Sequence, residues 1–128
     1  MEHVVHLSDT DTTGQVYYSK PLEWLEWCRV DWFTRKFGNF MKFVENTGIT
    51  YFPSKANVEY KKPIFFGDKL TIEMLPKEVR KISFLLDYTI KRGEEVVLKS
   101  EINMVSFDVK NKTFARLNDE MLKTLSEM

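Results

Sequence analysis

Two spacings of hydrophobic residues divide the chain. Between Ser19 and Phe37 they recur at helical intervals: Leu22, Leu25, Cys28 and Trp32 fall on one face, and Trp24, Trp27, Val30 and Phe33 widen it. Ser19 is placed to cap this helix, with Pro21 in the first turn, and Gly38 can close it in a left-handed cap. A helix apolar over so much of its circumference predicts burial on more than one side. The stretch from Asn39 to Ser54 is less regular and admits a shorter helix around Phe40 to Asn46.

After that the period becomes two. Ala56, Val58 and Tyr60 alternate with polar neighbours, as do Leu70, Ile72 and Met74, and then Ile82, Phe84, Leu86, Tyr88 and Ile90. Arg92-Gly93-Glu94 reads as a hairpin turn. Val96 to Val109 reads as a last long strand. Its apolar set begins on Val96, Leu98, Ile102 and Met104 and passes to Val105, Phe107 and Val109, which predicts a bulge or a change of face. Asn118 can cap a terminal helix carrying Met121, Leu122 and Leu125. At the other end, residues 2 to 7 lean to β structure, and Ser8 to Gln15 form a loop by composition.

The order is a strand, a long apolar helix, then four strands, with no repeat or linker, so residues 1–128 are expected to form a single domain. Only a sheet can cover that helix, and the short connections make it antiparallel. The expected fold class is α+β: a long helix wrapped by a curved five-stranded antiparallel sheet, the hotdog arrangement. Composition narrows the partners. Nineteen basic and nineteen acidic residues give a formal net charge of zero, which disfavours nucleic acid. One cysteine, Cys28, excludes an intrachain disulfide and a cysteine-based zinc site. His3 and His6 have no third ligand nearby, so no metal is expected. With no signal peptide and no membrane span in the pattern, the expected location is the cytoplasm.

The chemistry concentrates in Asp9-Thr10-Asp11-Thr12-Thr13-Gly14-Gln15-Val16-Tyr17-Tyr18, the loop that enters the long helix. An acidic pair one residue apart, a glycine three positions on, Val-Tyr and then a helix resemble the active-site signature of the 4-hydroxybenzoyl-CoA thioesterase family of hotdog proteins. Glu26-Trp27-Cys28-Arg29 resembles that family's Glu-x-Ala-Arg helical segment, and Tyr60-Lys61-Lys62-Pro63 through Gly67-Asp68 resembles its entry into a sheet strand. The similarity runs in order along nearly the whole chain. Gln15 stands where many members carry histidine, and Pro21 where an aromatic residue is frequent.

The resemblance implies hydrolysis of acyl-CoA thioesters, with coenzyme A as part of the substrate and no separate cofactor. Asp11 is implied as the catalytic carboxylate, acting as base or nucleophile. The backbone N–H of Tyr18, at a helix N-terminus, is implied as donor to the thioester oxygen, with Gly14 turning the loop. The resemblance also implies a homodimer, paired again into a homotetramer, with sites at the dimer interface. Arg80, Lys81 and Ser83 align with the strand start that contacts the nucleotide. Val16, Asn57, Val58 and Tyr60 are candidates for the substrate pocket. Taken singly these residues have plainer readings. Asp9 and Asp11 can be loop caps, the tryptophans core or interface, Glu26 and Arg29 a helical ion pair, and Arg80 and Lys81 ordinary turn charges. Two other functions fit the same fold: hydrolysis of acyl groups carried on acyl carrier protein, and acyl-CoA binding without catalysis.

Overall fold

The computed structural model describes residues 1–128. The alternating segments pair into one antiparallel sheet. Its strands are β1 (Glu2–Val4), β2 (Ile49–Tyr60), β3 (Lys69–Val79), β4 (Ser83–Arg92), β5 (Glu95–Asp108) and a two-residue β6 (Thr113–Phe114). The order across the sheet is β1-β3-β4-β5-β2, with β6 on the end of β5. Three helices accompany it: α1 (Lys20–Phe37), α2 (Phe40–Thr47) and α3 (Asp119–Ser126). The curved sheet wraps α1. The hotdog arrangement therefore holds, with a short sixth strand and a 3-10 turn at Leu7–Asp9 added to the pattern.

Trp24 and Leu25 of α1 are wholly buried against Leu70, Ile72, Leu86, Tyr88, Ile90 and Leu98 of the sheet. The helix is less enclosed than its composition predicts. Leu22, Trp27 and Val30 are 39%, 46% and 44% exposed, so one flank of α1 is open in the single chain. Glu26 and Arg29 form no ion pair. Arg29 instead donates weakly, at 3.4 Å, to the hydroxyl of Tyr88, whose pKa burial pushes up to about 12. Gly38 ends α1 at φ 84° and ψ −159°, a positive-φ turn rather than the left-handed helical cap. Asn118 caps α3 as expected, its Oδ1 accepting from Met121 N at 2.8 Å.

β5 keeps one inward face from Leu98 to Ser106, so of the two expected alternatives it shows a bulge and no change of face. Ser100 and Ser106 occupy inward, buried positions where the pattern looked for apolar residues. The bulge lies earlier: Ile90 pairs with Leu98 but Lys91 with Val96, leaving Val97 as the extra residue. β2 begins at Ile49, seven residues before the alternation becomes visible, and bulges at Ser54. It pairs only with β5, so its other edge is unpaired along twelve residues. No helix is long and apolar enough to cross a membrane.

Candidate active site

Asp11 sits in a tight loop whose bonds are local. Its N–H donates to Gln15 O at 2.8 Å, and Gly14 N–H donates back to Asp11 O at 3.1 Å. Gly14 has φ +81°, a conformation that favours glycine, and a Cβ there would meet nothing within 4 Å. The glycine is thus required by the turn and not by crowding. Asp11 Oδ1 accepts from Thr13 Oγ1 at 2.6 Å, Thr13 N at 2.8 Å and Gln15 N at 3.3 Å. The Thr13 hydroxyl, followed by its N–H, holds this exposed carboxyl below the usual aspartate range. Oδ2 accepts nothing within the chain, so one oxygen is restrained and the other is free to act.

The loop is fastened on both sides. Thr10 bridges Val16, and Gln15 bridges Phe65. Val16 N–H donates to Ile64 O and Phe66 N–H to Gly14 O. The Phe65–Asp68 turn is held in its own right, since Asp68 Oδ2 accepts from Phe65 N and from Arg92 Nη1. Tyr17 N–H donates to Asp9 O at 3.0 Å, bringing the approach to α1 back against the start of the loop. The next N–H, that of Tyr18, finds no acceptor within the chain. The Tyr18 carbonyl accepts from the Tyr60 hydroxyl, whose pKa is raised by burial and then by the nearby Tyr18 phenol.

A cleft of about 280 Å³ opens at this end of α1, lined by Gln15, Val16, Tyr18, Pro21, Tyr60 and residues 61–64. It brings together Val16, Tyr18 and Tyr60 from the sequence-derived set. Asn57 and Val58 lie apart from them, in a neighbouring hollow that shares Lys61 with the cleft. Lys61 is paired with Glu59 at 2.5 Å, and the exposed Lys62 is unpaired. Arg80, Lys81 and Ser83 stand at the β3–β4 turn and line neither hollow. Arg80 pairs with Glu78 at 2.8 Å, Lys81 is exposed and Ser83 is buried. β3 runs for eleven residues between that turn and Asp68, a span of roughly 35 Å.

Asp9 makes the structural bonds foreseen for it, but with an unforeseen partner. Its Oδ2 accepts from His6 N at 2.9 Å and lies 3.2 Å from His3 Nε2. The signal was the alternation of β1, which turns His3 inward. A second, apolar cavity of about 280 Å³ lies between the middle of α1 and the sheet, lined by Trp32, Phe33, Tyr51, Phe84, Met104 and others, and shares no residue with the cleft. Of the three tryptophans, Trp24 is core, Trp32 borders this cavity and Trp27 faces outward.

Comparison with known proteins identifies the family and the fold. The model of the Thioesterase-like superfamily matches residues 5–125. A 1,4-dihydroxy-2-naphthoyl-CoA hydrolase of Nostoc punctiforme is 27% identical over 121 residues, covering 94% of this chain and 82% of that protein. The fold matches a 1,4-dihydroxy-2-naphthoyl-CoA thioesterase from Synechocystis with a TM-score of 0.89 at 18% identity, over 100% of this chain and 95% of the other. It also matches a Staphylococcus aureus protein solved in complex with CoA, with a TM-score of 0.91 at 12% identity, over 99% and 80%. The chain belongs to the thioesterase-like superfamily and is a thioesterase of the hotdog fold.

Proposed function

We propose that this chain hydrolyses acyl-CoA thioesters to a free acid and coenzyme A, with Asp11 as the reacting carboxylate. The observation that supports this is that one bonded loop leaves two groups without partners in the chain: Oδ2 of Asp11 and the N–H of Tyr18. The Tyr18 N–H precedes the first turn of α1, where the helix dipole favours developing negative charge. It can donate to the carbonyl oxygen as that oxygen becomes an oxyanion. Acting as base, Asp11 takes a proton from water while the water oxygen bonds to the carbonyl carbon. The C–S bond then breaks, and the thiolate leaves and takes up the proton. Acting as nucleophile, Asp11 expels the thiolate itself, and water hydrolyses the resulting anhydride. Both routes consume one water and use the same two groups.

The names of the relatives support coenzyme A as the carrier. A homodimer, joined again into a homotetramer, is supported by the unpaired edge of β2 and the open flank of α1. The distance of Arg80, Lys81 and Ser83 from the cleft gives a second reason, since these three could then reach a substrate only at a partner subunit's cleft. No separate cofactor is needed, because water and a carboxylate complete the reaction. The buried, unpaired Cys28 fits a reducing cytoplasm.

Thiol release over a panel of acyl-CoA and acyl-carrier-protein thioesters tests this reading. Asp11→Asn is expected to lose about a hundredfold or more in kcat, the scale for removing a general base. Turnover by Asp11→Asn equal to the unsubstituted protein would overturn the mechanism, and no turnover of any thioester would overturn the activity.

A further inference from the structure

The reaction as derived leaves one buried pair of ionisable groups unused. His3 and Asp9 are 9% and 4% exposed, and their side chains meet at 3.2 Å. Against a carboxylate, the imidazole bonds only with a proton on Nε2. The His3 ring is packed on Trp24 and Trp27 of α1, with centroids 4.6 and 5.7 Å away, and on His6 at 5.2 Å. A buried polar pair is weak as a source of stability, because its desolvation offsets its attraction. Its value here is geometric.

Asp9 touches both halves of the site. It stands two residues before Asp11. Its carboxylate is tied to His3 of β1 and to the N–H of His6, while its carbonyl accepts from Tyr17, the residue before Tyr18. Any tilt of the Asp9 backbone therefore moves the Asp11 carboxylate relative to the Tyr18 N–H. His3 fixes Asp9 in turn, being itself pinned between β1 and the tryptophans of α1.

We infer that His3 and Asp9 are positioning residues, a buried clamp that sets the Asp11 carboxylate against the Tyr18 N–H for thioester hydrolysis. The inference rests on the catalytic reading of Asp11. Neither side chain touches the substrate. They act through the loop, so their loss affects turnover more than binding.

The test measures kcat, KM and thermal midpoint for Asp9→Asn, His3→Phe and His3→Gln, with Asp11→Asn as reference, on the acyl-CoA that the panel shows to be turned over best. The glutamine amide can still donate to Asp9, whereas phenylalanine fills the space against Trp24 without a donor. Asp9→Asn and His3→Phe are expected to lose roughly ten- to a hundredfold in kcat, the scale for a misplaced reacting group, with KM changed by less than about threefold. His3→Gln is expected to keep kcat within about threefold of the unsubstituted protein, a rescue that packing alone does not predict. Folded His3→Phe with unchanged kcat, or losses confined to KM, would overturn the clamp. If Asp9→Asn does not fold, the two His3 variants decide. If Asp11→Asn is inactive while His3→Phe is fully active, the clamp alone fails. If Asp11→Asn is active, the catalytic reading fails and takes the clamp with it.

Discussion

At the scale of single residues, Thr13 matters because it holds one oxygen of Asp11 with both its hydroxyl and its N–H. These donors favour the ionised form, so Asp11 loses its proton below the ordinary aspartate range. The reacting form is then present at and above that lowered pKa and is lost as the pH falls through it. Thr13→Ala removes the larger of the two stabilising bonds, the pKa rises, and the acid limb of kcat/KM is expected to move to higher pH. A profile of kcat/KM against pH checks this, and Thr13→Ser should restore the original limb. A lowered pKa makes Asp11 a weaker base than an apolar setting would. Its advantage is a carboxylate already ionised and oriented, with Oδ2 left free. Gln15 and Pro21, the two departures from the family pattern, both line the cleft, which Asp11 itself does not line.

At the scale of elements, β5 shows where reading by hydrophobic period fails. Ser100 and Ser106 are small enough for inward positions beneath the helix, and a polar letter in the sequence hides them. Ser100 Oγ compensates by donating to Asn57 O at 2.9 Å, whereas Ser106 Oγ is buried without a partner. Ser106→Ala is therefore expected to stabilise the fold by about 1 kcal/mol, read as a higher thermal midpoint, because it removes an unsatisfied buried hydroxyl. The opposite is expected at α3, where Asn118→Ala should cost about 1 kcal/mol by removing the cap on Met121 N. α1, β3, β4 and α3 were legible because each carries a strong period or cap. The first half of β2 was not, since Tyr51, Phe52 and Pro53 show no alternation and the strand bulges at Ser54. In the candidate site, the loop that joins Asp11, Gly14 and Tyr18 was legible because they are neighbours in sequence. The bond from Tyr60 to Tyr18 and the His3–Asp9 pair were not, because the fold alone brings β2 and β1 to that loop.

At the scale of the whole molecule, the open surfaces and the distant basic turn lead to one arrangement. β2 offers a twelve-residue unpaired edge, and Tyr17, Tyr18, Leu22 and Trp27 leave apolar surface uncovered near the cleft. The single chain has a mass of 15.2 kDa, and light scattering is expected to give at least twice that value. The more discriminating prediction concerns which chain supplies each half of the site. With roughly 35 Å of β3 between Asp68 and the Arg80 turn, the proposal that Arg80 and Lys81 bind the nucleotide requires the carboxylate and these cations to come from different subunits. Asp11→Asn and the double variant Arg80→Ala/Lys81→Ala should then each be impaired alone, yet complement when co-expressed. Each mixed dimer would carry one intact site, with Asp11 from one subunit facing Arg80 and Lys81 from the other. At equal expression half the dimers are mixed, so recovery of about a quarter of full activity is expected. If one chain supplied both halves of its own site, no mixed dimer would hold an intact one, and activity would not exceed the average of the two variants.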